Sequence, residues 1–198
     1  MLPLPRGRVN SNVMRLRGTP VTESESLNRA IQEEVALVPY DPQWPSLFEA
    51  ERNRLMRLFP TQFVDIQHFG STAIPGMPAK PVIDLLAGVE SMAFADSLVE
   101  PLLNSSYTTS AEFNATLVDR RWFMRWANGR RTHHLHIVVH GGAEWRRRLR
   151  FRDMLLTDTE LAHRYALLKE KLAAQHSVDR EAYTCAKSEF VLSVVGDA

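Results

Sequence analysis

His68-Phe69-Gly70-Ser71-Thr72-Ala73-Ile74-Pro75-Gly76-Met77-Pro78-Ala79-Lys80-Pro81-Val82-Ile83-Asp84-Leu85-Leu86 places one acid inside an otherwise apolar run, just after a loop of small residues. The segment Val82-Ile83-Asp84-Leu85-Leu86-Ala87 reads as a strand covered on both faces, where an ionised carboxylate is costly unless a cation or several donors compensate it. Lys80, His68, the hydroxyls of Ser71 and Thr72 and the loop amides around Gly70 are the candidates to do so. Such a loop, with a carboxylate at one end and hydroxyls at the other, can hold a triphosphate and its magnesium ion. Asp84 equally fits a buried carboxylate that bonds loop amides for structure alone. A P-loop is excluded, because Met77-Pro78 stand where Lys and Ser or Thr are required.

Outward from this stretch, residues 64–69 and 82–89 read as strands. Trp44, Leu47, Phe48, Leu55, Leu58 and Phe59 recur at helical spacing and predict an amphipathic helix packed on the sheet. A further helix is expected over 92–103. Upstream, residues 1–22 mix Pro, Gly, Arg and Asn without an apolar period and read as a flexible tail. A short helix over 24–34 then leads to a first strand over 35–38, and residues 23–198 form one domain.

Asn128-Gly129 predicts a two-residue type I′ turn between strands 120–127 and 130–140. That turn sets Arg121 opposite His136, Phe123 opposite His134 and Arg125 opposite Thr132 on one face. Trp122, Met124 and Trp126 then share the other face with Leu135, Ile137 and Val139. His134 and His136 become a pair able to ligate a metal or contact phosphate, and Arg121 beside them favours anion binding. The C-terminal third is helical, with Thr157 and Glu160 as a capping box and a stripe of Leu161, Tyr165, Leu168 and Leu172. The arginines from Arg146 to Arg152 read as a solvated face, except that Arg152 shares a helical face with Trp145 and Leu149 and points inward. Lys187 borders the last apolar stripe and either snorkels or reaches a site anion.

Composition narrows the function classes. The 198 residues carry 24 basic and 23 acidic side chains, so there is no global attraction to nucleic acid or to a membrane surface. A lone cysteine, Cys185, rules out an internal disulfide and suits a reducing compartment, and no apolar run reaches the length of a membrane span. The expected location is the cytoplasm.

Val38-Pro39-Tyr40-Asp41-Pro42-x-Trp44-Pro45, His68-Phe69-Gly70-Ser71-Thr72-Ala73-Ile74-Pro75-Gly76, Ala79-Lys80-Pro81-x-Ile83-Asp84, His134-Leu135-His136, Phe151-Arg152-Asp153 and Tyr183-Thr184-x-x-Lys187 occur in this order. Together they resemble the GrpB family over roughly residues 35–192. The resemblance implies an α+β, nucleotidyltransferase-like (polymerase-beta-like) fold: a short mixed sheet flanked by helices, with a helical C-terminal part. In that superfamily a Gly-Ser pair lies next to the phosphates and a later strand presents two acids to magnesium. Gly70 and Ser71 match the pair, Asp84 matches the first acid, and Leu86 stands in place of the second. The strand of the third acid corresponds to the one bearing His134 and His136.

The expected activity is therefore nucleotidyl transfer from an NTP, with Mg2+, to a small molecule. Asp84, His134, His136 and Lys80 form the catalytic group; Asp84 and His136 hold the metal. His68, Gly70, Ser71, Thr72, Arg121, Arg152 and Lys187 bind phosphate or nucleotide. Two alternatives remain: a non-catalytic nucleotide-binding or folding-accessory module, and a metal-dependent ligase or hydrolase built on His134 and His136.

Overall fold

A computed structural model describes residues 35–196. The expected tail over 1–22 and helix over 24–34 lie outside the described residues. The first regular element is helix α1 (Trp44–Leu58), started by Pro45 in its first turn, where a missing N–H costs nothing. Strands β1 (Asp65–Phe69) and β2 (Ile83–Val89) flank the small-residue loop, which contains one 3-10 turn (Ser71–Ala73). Then come α2 (Met92–Ser97), α3 (Val99–Leu103), β3 (Tyr107–Thr108), α4 (Ala111–Ala115), β4 (Arg120–Ala127) and β5 (Arg130–Val139). Three longer helices complete the chain: α5 (Ala143–Thr157), α6 (Thr159–Gln175) and α7 (Arg180–Val195).

The sheet runs β1-β2-β5-β4-β3, with β2 and β5 parallel and the other neighbours antiparallel. This is the expected mixed α+β architecture. One face packs on α1, α2 and α3 through Trp44, Phe48, Leu55, Ala95, Leu98 and Leu102 against Ile83, Leu85, Phe123, Leu135 and Ile137. Over the other face lie α5, α6 and α7, which close on one another through Leu155, Leu161, Tyr165 and Phe190.

Four local expectations change. The single helix over 92–103 is broken at Leu98, because the Pro101 ring would clash with the carbonyl of Ser97 in a continuous helix. Asp158, not Thr157, caps α6, accepting from the Leu161 amide at 2.9 Å, while the Thr157 hydroxyl turns back to the Asp153 carbonyl. The expected strand over 35–38 is reduced to one bridge between Val38 and Ala79.

The fourth change alters the site. Asn128 and Gly129 both have positive φ, as a type I′ turn requires, and Ala127 and Trp126 pair with Arg130 and Arg131 as predicted. The register then slips: Arg125 pairs with His133, leaving Thr132 as an extra residue, a β-bulge, whose hydroxyl donates to the Arg125 carbonyl at 3.2 Å. One residue of slip exchanges the faces of everything beyond it. Trp122 therefore lies opposite His136 and Met124 opposite His134, while Arg121 and Phe123 pair with Ile137 and Leu135 on the α1–α3 face.

Candidate functional site

In the parallel pair, Asp84 lies beside His134 and Leu86 beside His136, so all four side chains share the face turned to α5–α7. Nδ1 of His134 donates to Oδ1 of Asp84 at 2.9 Å. A carboxylate only accepts, so Nδ1 carries the proton and the other ring nitrogen is bare. Burial alone would raise the Asp84 carboxyl, but the His134 hydrogen bond and the charges of Lys187 and Lys80 outweigh it and hold the group below its ordinary value. Burial pushes His134 down despite Asp84, and it pushes His136 far down with help from Arg120 and Arg148. At neutral pH the centre is thus an ionised carboxylate with two neutral imidazoles.

Gly70 makes room for this carboxylate. Its φ of 74° and ψ of −173° suit glycine alone, and a Cβ there would stand 2.5 Å from Oδ2 of Asp84. The loop and the strand are therefore fitted to each other through the acid rather than through an apolar contact.

Around the centre lies a cavity of about 980 Å³ between the sheet and the C-terminal helices. Its walls carry Lys80, Arg120, Arg131, Arg147, Arg148, Arg152, Lys169 and Lys187 against three carboxylates, Asp84, Glu112 and Asp179. The excess of positive charge selects an anionic occupant. Glu144 pairs with Arg147 and accepts from Arg148 at 2.7 Å, so the arginines on α5 are held in place by their own helix. Lys80 and Lys187 sit over the Tyr183 ring, at 5.2 and 4.5 Å from its centre. Phe69, Trp122, Phe151 and Tyr165 supply aromatic wall.

The sequence-derived site residues divide into three groups. Asp84, His134, His136, Lys80, Lys187, Gly70 and Ser71 converge on the cavity. Thr72 is in the wall but buried, its hydroxyl 3.0 Å from His68 Nε2. Arg152 borders the cavity with its guanidinium committed to β1, donating to the His68 carbonyl at 2.9 Å and to Gln67 at 3.0 Å.

Two residues are elsewhere. His68 alternates to the α1 face of β1, where it stacks on Phe48 at 4.7 Å between centres. Burial, with the Arg152 charge, lowers it to about 4 although Asp84 works the other way. Arg121 is carried off by the register slip and pairs with Asp96 at 2.6 Å. Arg120 stands on the cavity side in its stead, lowered to about 10 by burial and by Arg148.

Lys169 is the functional candidate that sequence reasoning missed. Only 1% exposed, it reaches the Pro78 carbonyl, and burial together with Lys187 lowers it to about 7. Its signal was a lysine four residues after Tyr165 and three before Leu172, inside the apolar stripe rather than at its edge. Arg147 and Arg148 were hidden in a charge run that reads as solvated surface.

A two-magnesium centre of the kind the resemblance implies needs at least two bridging carboxylates. Here Leu86 is fully buried among Phe69, Val138 and Trp145, and the adjacent position on β5 is an imidazole. The residues present do not fit that arrangement.

Fold and site define an α+β protein with a cationic cavity closed between a mixed sheet and a helical C-terminal part. The family described as GrpB protein matches residues 34–196, and the chain belongs to that family. The Glutamate-rich protein GrpB of Alkalihalophilus pseudofirmus is 34% identical over 167 residues, covering 83% of this chain and 95% of that protein. UPF0157 protein YqkA of Bacillus subtilis is 36% identical over 157 residues, 79% of this chain but 45% of that protein, so the chain spans under half of that relative. The crystal structure of conserved protein GrpB from Enterococcus faecalis superposes with a TM-score of 0.71 at 31% identity, covering 80% of this chain and 94% of that one. No helix among the described residues is long and apolar enough to cross a membrane.

Proposed function

We propose that the cavity binds a nucleoside triphosphate, carried as its magnesium complex, and that the protein transfers a nucleotidyl or phosphoryl group from it to a small acceptor. The observation that carries this reading is one ionised carboxylate, Asp84, set among eight lysine and arginine side chains in a single cavity. Transfer of a phosphoryl group asks a protein mainly to position polyanions and to neutralise charge that develops on their oxygens. Lys80 and Lys187, next to Asp84, neutralise the phosphates; Arg120 and Arg148, at the His136 end, hold the acceptor side. Aromatic walls at Trp122 and Phe151 exclude water and offer apolar surface to a base. The mixed sheet, with Gly70-Ser71 and Asp84 on neighbouring elements, supports the nucleotidyltransferase-like reading of the fold.

The test is thermal stabilisation by ATP, GTP, CTP and UTP, each with magnesium. Ligand at about a hundred times its Kd stabilises by roughly 2.7 kcal/mol. Lys187→Ala is expected to weaken the effective nucleotide by about tenfold or more; no response to any of the four overturns the reading.

Leu86 favours a second reading, a nucleotide-binding or folding-accessory module without turnover, because it removes the carboxylate that the superfamily's chemistry uses. A relative named dephospho-CoA kinase from Mycolicibacterium paratuberculosis is 32% identical over 193 residues, 86% of this chain and 47% of that protein. Such a relative suits a module attached to an enzyme. Stabilisation by an NTP with no release of pyrophosphate or phosphate, over a panel of hydroxylated and carboxylated acceptors, supports that second reading.

A further inference from the structure

We infer that Asp84, His134 and His136 form a site for one divalent first-row metal cation, zinc, cobalt or manganese, whose remaining coordination positions open on the cationic cavity. Each residue can offer one ligand atom such that all of these lie within 4.8 Å of one another. The spacing follows from the fold, since β2 and β5 pair Asp84 with His134 directly and His136 is the next residue on that face.

Two ring nitrogens at this centre are otherwise unexplained. Nε2 of His134 and Nδ1 of His136 are buried with no hydrogen-bond partner among the described residues, although buried polar atoms are nearly always satisfied. His134 itself is only 9% exposed. An ion that replaces the Nδ1 proton between His134 and Asp84 lies between two atoms already 2.9 Å apart and would engage the bare Nδ1 of His136.

The donor set sets the class of ion. Magnesium takes oxygen ligands and keeps its waters, whereas two imidazoles and one carboxylate suit zinc, cobalt or manganese. Three protein ligands with further positions open is also the pattern of a catalytic rather than a structural metal site. Leu86, Phe69 and Val138 form an apolar wall against which the ligands are held.

The surrounding charge bears on what completes the coordination. Arg120 and Arg148 lie near His136, and Lys80 and Lys187 near Asp84. These groups oppose a bare dication and favour one that arrives with, or recruits, an anion. The occupant is thus a metal with a phosphate oxygen among its ligands. This inference goes beyond the triphosphate reading and stands independently of it, because the ligands were identified without a nucleotide.

Untagged wild-type protein is titrated with cobalt(II), and ligand-field absorption reports protein-bound ion. One equivalent per chain is expected, retained in a large excess of magnesium. His134→Gln and His136→Gln are each expected to lower the affinity by more than about tenfold, with circular dichroism to confirm the fold. His163→Gln, on the exposed side of α6, serves as the unaffected control. A parallel titration with manganese(II), read from the free-ion paramagnetic resonance signal, is expected to tighten when inorganic phosphate is present. Absence of cobalt and manganese binding to the wild type, with or without phosphate, overturns the inference. So does metal binding that both histidine variants retain in full. Histidine-dependent phosphate binding with no metal also overturns it and leaves an anion site. Failure of any NTP to bind has no bearing on these outcomes, so the two readings fail separately.

Discussion

The two faces of the sheet each carry an ionised carboxylate, and they treat it in opposite ways. On the α1 side Glu51 is 3% exposed and saturated: Arg54 donates at 2.8 and 3.0 Å, Tyr107 at 2.7 Å, and Arg125 pairs with the second oxygen. On the α5–α7 side Asp84 accepts one bond among the described residues, from a neutral histidine, and its side chain retains 25% of its surface. Burial disfavours both anions, and both nonetheless stay below their ordinary values, Glu51 through hydrogen bonds from Arg54 and Tyr107. A closed network has no capacity left for a ligand. The open one does, which is why similar local chemistry reads as scaffold on one face and as site on the other.

The sharpest break of this comparison is Glu51→Ala. It leaves Arg54 and Arg125 facing each other in a half-buried space, and a stability loss of about 3 kcal/mol is expected, measured by urea unfolding. A loss under about 1 kcal/mol would remove the distinction between the two carboxylates.

Acid comes next. His68 and His133 both lie on the closed face, and burial lowers each to about 4 from an ordinary 6.5, with Glu51 opposing the shift at His133. Between those values the unfolded chain binds more protons than the folded one, so stability falls as pH drops from 6.5 toward 4 and these groups add nothing further below it. The full shift corresponds to roughly 3 kcal/mol per ring. His133→Gln is expected to flatten the slope by one proton; an unchanged slope would assign the acid sensitivity to the cavity face.

Gly70→Ala probes the contact between loop and acid. A backbone region closed to other residues and a Cβ against Oδ2 of Asp84 together lead to an expected loss of about 2 kcal/mol. Metal and anion affinity should fall in parallel, because the carboxylate is displaced. The smallest stability effect is expected from Asp84→Asn, which keeps an oxygen for the His134 Nδ1–H and stays within about 1 kcal/mol of wild type. Its binding of metal and phosphate is nevertheless expected to be lost. A large destabilisation with ligand binding intact would make Asp84 a second Glu51.

Much of the centre was legible because local rules carry it. An acid inside Val82-Ile83-Asp84-Leu85-Leu86 needs compensation wherever the strand goes, and Gly70 before Ser71 marks a turn open to few other residues. The His134-Leu135-His136 alternation puts both imidazoles on one face of any strand. What failed was non-local. The turn at Asn128-Gly129 formed as expected, yet the strands beyond it paired one residue out of step, and Arg121 exchanged places with Arg120. Lys169 was missed and Arg148 read as solvated surface, since each belongs to a helix whose neighbours at the cavity lie far away in sequence.

The chain by itself determined the strand bearing Asp84, a mixture of strands and helices, the helical C-terminal third and the pairing of two imidazoles on one strand face, because these rest on apolar period, turn residues and the cost of an isolated charge. Only the tertiary structure decided which face each hairpin residue occupies. Burial of Phe123, Leu135 and Ile137 against the α1 layer selects that register across the whole sheet, and the bulge at Thr132 absorbs the residue left over. Large apolar side chains fall on both faces of β4, Trp122 and Met124 on one and Phe123 on the other, so its alternation does not choose between the two registers and the assembly of the cavity had to wait for the packing that did.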